Sequence, residues 1–379
     1  MLKLGIIGCG RRITHVLQVI ESVSNGDAVV TCVADTDVEQ VKRIRLSDEK
    51  YSHVTYYTDA EQMLKNEALD GVLIGTRCSS HAKYALLVAK YDLPLFLEKP
   101  VCTTYEDLAL LKTIPHMEDK TVVSFPLRAS QRLAFVKDLI DRGSIGKIAH
   151  VQACNNVTYG RGYYHKWYRD DEETGGLFLQ KATHDLDYIN YIVGEHPIRL
   201  CAMESKQVFK GDKPANLKCA DCADAPNCPE SPENIRKTGD PKAYGDYCCF
   251  AVDTGNHDSG SILVMYRSGM HAVYTQNFIV RNGAAKRGAR FIGYKGTLEF
   301  DWYKDEVTLY RHDADKAETF QFPNSPGGHF GGDDALAKNF IAVMRGEEKS
   351  CAPLSQGIAS AALCLGAKTS AADNKFVEL

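Results

Sequence analysis

Tryptophan is scarce in this sequence, two residues in 379, and an apolar run of 18 residues occurs nowhere. A hydrocarbon-spanning helix needs about 20 such residues, so no membrane helix and no membrane partner are expected. Neither sign of charge dominates, since 45 Lys and Arg face 49 Asp and Glu for a net charge of −4. Such a balance creates no global field for a polyanion, and nucleic acid is not an expected partner. The N-terminus lacks a basic region followed by a long apolar one; Met1 to Gly10 run straight into a strand pattern, and no export signal is expected. Sequence repeats and low-complexity tracts are missing as well. Cysteine, by contrast, is plentiful. Its count of 13 is odd, and Cys32, Cys154 and Cys201 fall on strand-like stretches. That usage fits reduced thiols and a cytoplasmic location better than a disulfide framework.

At roughly 150 residues per domain the length predicts two domains. The first 125 residues alternate strand and helix. Leu2 to Ile7 is an apolar run, interrupted at Lys3, that ends in Gly8-Cys9-Gly10, and Ala28 to Ala34 is a second run that stops at Asp35. Helices about 14–22, 38–46, 60–66 and 81–91 and strands near 54–57, 71–75 and 95–97 continue the pattern. Repeated βα units predict a Rossmann-type doubly wound parallel sheet over 1–125, with ligands beyond the carboxyl ends of its strands. Glycines in the first turn let the backbone approach a pyrophosphate, and the helix that follows offers unpaired N–H groups. The expected cofactor contacts are Gly8, Cys9, Gly10, Arg11, Arg12 and Ile13 in this turn, Thr76, Arg77 and His81 after the fourth strand, and Glu98 and Lys99 after the fifth. Ile13 departs from the Gly or Ala of the usual third position. Asp35 is placed to accept from ribose hydroxyls and to repel a 2′-phosphate, which predicts NAD in preference to NADP.

After Pro126 the pattern changes. A helix about 129–141 leads into strand-like stretches at 148–157, 200–209, 261–266, 271–280, 289–294 and 297–302, joined by short Gly-containing turns such as Ser268-Gly269. A largely antiparallel open sheet is predicted, within an α/β domain spanning 126–379. One face of it is left for a second subunit, in a homo-oligomer of two or four chains. Helices about 333–345 and 356–372 close the chain.

Three signatures coincide: Gly8-Cys9-Gly10, Glu98-Lys99-Pro100, and Gly175-Gly176 followed by His184-Asp185-Leu186-Asp187. Together they resemble the Gfo/Idh/MocA family, the relatives of glucose-fructose oxidoreductase and inositol dehydrogenase, over essentially the whole chain. The resemblance implies an NAD-dependent oxidoreductase in which Lys99 lies beside the nicotinamide and His184 faces it across a cleft. Many members carry aspartate four residues before that histidine, whereas this chain has Gln180 followed by Lys181.

Chemistry supports the same pair. Oxidising a secondary alcohol requires one group to take the hydroxyl proton and another to hold the oxygen as it becomes a carbonyl. On a helix, Lys181, His184 and Tyr188 share a stripe, with Asp187 three residues from His184 and able to orient its imidazole. Arg128, Tyr159, His165 and Arg169 are expected in the pocket wall because aromatic and basic side chains suit a sugar ring. The substrate class is then a sugar, polyol or glycoside. Two other readings compete: a redox-assisted glycoside-cleaving enzyme that recycles its NAD in place, and a non-catalytic NAD-binding sensor.

Cys219, Cys222 and Cys228, with Cys248 and Cys249 downstream, fall in an aperiodic stretch about 210–248 rich in Pro, Asp, Asn and Lys. A loop of that length invites an ordering device. Structural zinc held by Cys219, Cys222, Cys228 and Cys248 (or Cys249) would serve, with free thiols or a disulfide as the alternatives.

Overall fold

The computed structural model describes residues 1–238, 245–322 and 328–379. They form two compact units, one of Met1–Asp141, Leu186–Ile192 and Phe322–Leu363, the other of Arg142–Asp185, Val193–Gln321 and Cys364–Leu379. Both are discontinuous in sequence, so a division at 125 follows the chain order but not the packing.

In the first unit six strands, β1 (Leu2–Ile7), β2 (Ala28–Ala34), β3 (Thr55–Tyr57), β4 (Gly71–Ile74), β5 (Leu95–Leu97) and β6 (Thr121–Val123), form one sheet in the order β3-β2-β1-β4-β5-β6. Every pairing is parallel. A strand buried on both faces reads as an apolar run, which is why β4 and the inner part of β1, Leu4 to Ile7, carry no polar side chain. The order reverses between β1 and β4, and in such sheets the ligand crevice lies outside the strand ends at that point. Leu336, Ala337, Phe340 and Ile341 on the late helix Gly332–Met344 join Leu4, Ile6 and Phe96 in a single buried cluster. Phe96 and Phe340 meet edge to face at 5.7 Å. The Rossmann core is therefore completed from the far end of the chain.

The second unit carries β7 (Ile148–Asn156), β8 (Pro197–Ser205), β9 (Ser259–Tyr266), β10 (His271–Asn277), β11 (Lys286–Gly293), β12 (Gly296–Asp301), β13 (Glu306–Arg311), β14 (Lys316–Gln321) and β15 (Val377–Glu378). They form one sheet in the order β14-β13-β12-β11-β7-β10-β9-β8-β15. All pairings are antiparallel except β7 with β10. Along β9 the side chains of Ile262, Val264 and Tyr266 are buried while Ser261 and Leu263 are exposed, the alternation of a sheet with one covered face. The insertion about 210–248 holds a short 3-10 turn (Cys219–Asp221) and the helix Pro232–Lys237. Its residues 239–244 lie outside the described residues. No described helix is long and apolar enough to cross a membrane.

Candidate active site

The glycine turn is built as a close approach of backbones. Gly8 has φ of +79°, and a Cβ there would stand 2.5–2.7 Å from Thr76. Only glycine fits that conformation and that gap. The third glycine of such fingerprints serves close helix–strand packing, and here its role has moved to the facing strand. Ile13 is wholly buried in the core, and a Cβ on Gly75 would lie 2.5 Å from the Cβ of Ile13. Ile13 thus contributes packing, and Gly75 supplies the space. Cys9 is buried too, its thiol pushed up to about 11 by burial despite a contact with Thr14.

Helix Arg11–Val23 starts from Gly10 with no side-chain cap and no acidic residue in its first turn. Its opening N–H groups have no intrahelical partner and form a cradle for an anion. At the end of β2, Asp35 accepts from Cys9 N (2.7 Å) and Asp37 N (2.9 Å), tying the acid to the turn. A cradle that a Cβ would fill, an uncapped helix start and a carboxylate beside them fit a dinucleotide. Thr76 is half-buried, and its hydroxyl accepts from Ser80 Oγ at 2.9 Å; Arg77 is exposed.

Three expected cofactor contacts prove to be internal supports. Arg12 places Nε 3.0 Å from Glu98, Nη2 2.6 Å from Asp333 and Nη2 3.3 Å from Ser124. Its guanidinium is committed to carboxylates, so position 12 offers a pyrophosphate its backbone N–H, while exposed Arg11 keeps its side chain in solvent. Glu98 is buried as the other half of that pair. Although burial opposes it, His329 and Arg12 hold the Asp333 carboxyl well below the usual range. His81 is buried between two carbonyls, Nδ1 at 2.7 Å from Pro100 O and Nε2 at 3.2 Å from Thr76 O. Burial lowers its pKa, and its ring braces the two loops against each other without being presented to a ligand. Within this braced segment, from Leu95 to Thr103, Lys99 alone is not buried.

A parallel situation holds in the helical run from Leu177 to Ile189. Every residue in it is buried except His184. The run opens with a π-helical turn, Phe178–Ala182, and continues as the α-helix Thr183–Val193. Asp187, the residue expected to orient the histidine, is held by an arginine. Both its oxygens accept from Arg128, one from Nε at 2.9 Å and the other from Nη2. Burial raises the Asp187 carboxyl to about 6 against the pull of that guanidinium.

The residues expected in a pocket wall separate into three groups. Arg128 and Asp187 form a buried ion pair in the first unit, where Tyr188 is also fully buried. Arg128 borders a cavity of about 410 Å³ with Tyr191, Lys338, Asn339, Glu348 and Cys351, which includes none of the other expected wall residues. His165 and Arg169 anchor the insertion. His165 Nδ1 lies 2.7 Å from Tyr247 O, and Arg169 bonds Asp253 and Thr254 and stacks over Tyr247. Both are buried by neighbouring protein, which corrects their assignment to a sugar-facing wall. Tyr159 and Lys181 remain together, the lysine Nζ bonded to the phenol oxygen and lying over its ring. Arg287, Asn155 and Tyr274, which no sequence motif marks, all bond Asp185. They come from strands 30 to 102 residues away, a proximity that no local pattern encodes.

In the insertion, Lys218 bridges to Tyr247, with Cys219 N on Asp246 O and Cys248 N on Leu217 O. The Cys219 thiol is pushed to about 11 by burial and by Cys248, Cys228 and Cys222. Among the described residues, however, the ligand-type atoms that gather within 4.8 Å belong to His165, Glu230 and Cys249. Arg161 already holds that Glu230 at 2.8 and 3.1 Å, which places a cation where a metal would compete.

A switch-point sheet with a glycine turn, an uncapped helix and an acid at the second strand end defines a dinucleotide-binding Rossmann protein joined to an α/β unit. The chain belongs to the Gfo/Idh/MocA oxidoreductase family: residues 2–124 match its NAD-binding Rossmann fold and residues 137–379 its C-terminal alpha/beta domain. It is similar to the oxidoreductase YteT of Bacillus subtilis, 24% identical over 353 residues that make up 82% of each chain. The scyllo-inositol 2-dehydrogenase (NAD(+)) of the same organism is 27% identical over 206 residues, 51% of this chain and 54% of that one. The match thus spans about half of that enzyme. Among solved structures, levoglucosan dehydrogenase in complex with NADH and levoglucosan gives a TM-score of 0.77 at 17% identity, covering 100% of this chain and 99% of the other. At that identity the likeness is one of fold.

Proposed function

We propose that this protein is an NAD-dependent dehydrogenase acting on a secondary hydroxyl of a sugar, cyclitol or related polyol. The observation that carries the reading is that Lys99 and His184 are the unburied positions of two otherwise buried, braced segments. A long cationic side chain and an imidazole supported in this way suit proton transfer and the holding of an oxygen. The names of the relatives, inositol and levoglucosan dehydrogenases, support the substrate class. Gly8, Gly10, the start of helix Arg11–Val23 and Asp35 would hold the cofactor. NAD supplies an acceptor for the hydride of the carbinol carbon. Lys99 and His184 divide the remaining work, one taking the hydroxyl proton and the other steadying the oxygen.

Lys99→Met and His184→Ala are each expected to lower turnover on myo-inositol or levoglucosan by about two to four orders of magnitude, with NAD affinity held within a few-fold. Near-normal turnover in either variant would return that residue to a structural role. NADP should bind more weakly than NAD, and Asp35→Ala should narrow the difference in a fluorescence titration. The proposal includes a cytoplasmic location. It also includes a second copy of this chain as partner on the open sheet face, where Met203 and Leu263 are exposed, to be checked by light scattering. Structural zinc on Cys219, Cys222, Cys228 and Cys248 (or Cys249) is proposed for the insertion, on the strength of the Cys219-x2-Cys222 spacing within a long aperiodic loop.

A further inference from the structure

Two histidines, His150 and His271, stand side by side on the sheet of the second unit. Strands β7 and β10 run parallel, and their register pairs His150 with His271. Val151 and Ala272, the next residues along, are buried, so the alternation of each strand sends both imidazoles to the other face, the one that carries Met203 and Leu263. His150 is half-buried there and His271 is exposed. Their ring centroids are 4.5 Å apart and the ring planes are inclined by 34°. Among the described residues neither imidazole has a hydrogen-bond or acidic partner. The strands on either side offer none, since His150 lies beside Ile292 of β11 and His271 beside Met265 of β9. Like charges directly opposite each other destabilise a sheet, so the pair is best accommodated as two neutral imidazoles, the form that ligates a metal. A metal about 2.0–2.1 Å from one nitrogen of each ring, in adjacent coordination positions, sets the two centroids about 4.5–5 Å apart. The observed spacing meets that requirement, and χ2 of histidine is a broad torsion through which a ring nitrogen can be aimed.

We propose that His150 and His271 form a two-histidine site for a divalent late transition metal of the nickel, copper and zinc group, built from no residue of the cysteine insertion. Imidazole suits these metals, whereas calcium and magnesium require oxygen ligands that the pair lacks. Met265 is not assigned as a third ligand, because its sulfur already accepts from Arg199 Nη2 at 3.6 Å. With two protein ligands the remaining coordination positions fall to water, so the site exchanges its metal more readily than a closed structural centre does. The proposal is independent of the dehydrogenase reading.

The test is a nickel titration of the full chain labelled with ¹³C at histidine Cε1. Of the 12 histidine resonances, the two that disappear in His150→Gln and in His271→Gln should broaden together as paramagnetic Ni²⁺ is added. Magnesium and calcium should leave both unmoved. Either substitution should weaken nickel binding at this site about 100-fold, because one imidazole alone lacks the effective concentration that its neighbour supplies. The double variant should lose little beyond the first change, the mark of a chelate. Excess nickel should also raise the melting temperature of the parent chain by more than it raises that of either variant, while melting without metal shows that the variants are folded. Nickel that leaves these two resonances sharp, or affinity unchanged in a folded single variant, would overturn the proposal.

Discussion

At the scale of single residues, Ile13 and Gly75 show how a fingerprint position can be vacated without losing its purpose. The strand gives up its side chain so that the helix can keep one. Gly75→Ala is expected to cost about 1–3 kcal/mol by overpacking against Ile13 and to weaken NAD binding. Adding Ile13→Ala should recover part of that loss, so that the two changes are non-additive in a denaturation cycle. Glu230 makes a second prediction at this scale. Burial would raise its carboxyl, but His165, Arg161 and Arg281 together hold it down at about 2. A carboxylate held low in the folded state contributes stability that is present above the unfolded value of about 4.5 and lost as pH falls from there toward 2. The stake is roughly 3 kcal/mol at most. Melting curves of Glu230→Gln should therefore lack the acid-sensitive limb that the parent chain shows between those values.

Among the elements, the insertion invites a direct measurement. Protein purified without added metal should contain about one equivalent of zinc, and a strong chelator should open the loop to proteolysis. Metal-free protein with the same resistance would leave the cysteines as ordinary thiols. How far the elements were legible depends on how local their causes are. β1, β2 and β5 coincide with their apolar runs, and the helix Ala60–Asn66 with its predicted span, because sheet burial and helical periodicity act over a few residues. Strand β14 has no readable signal because five of the six residues in Lys316–Gln321 are exposed, leaving no apolar alternation to read. Lys99 and His184 could be singled out from motifs. The pairing of Arg128 with Asp187 could not, since the partners are 59 residues apart and an arginine before a helix is as plausible in a pocket wall as in a core. His81 and Arg12 depart from their expected roles for a related reason. A polar residue next to a glycine turn serves the ligand or the loop, and only the atoms it bonds decide which.

For the whole molecule, neither compact unit is a continuous piece of chain. A fragment of residues 1–125 should collapse without native cooperativity, because Leu336, Phe340 and Ile341 would be missing from the cluster around Leu4 and Phe96. Adding residues 322–363 in trans should restore protection of β1 and β4 amides in hydrogen exchange, and failure to do so would mean that the sheet stands by itself. The late helix Gly332–Met344 also sets a timetable for the cell. Synthesis at about 5–20 residues per second leaves some ten seconds or more between the emergence of β6 and that of the helix that finishes its sheet. During that interval the nascent chain carries an open apolar surface, so its yield should depend on chaperones that shield a half-built domain and should fall when translation stalls ahead of residue 332.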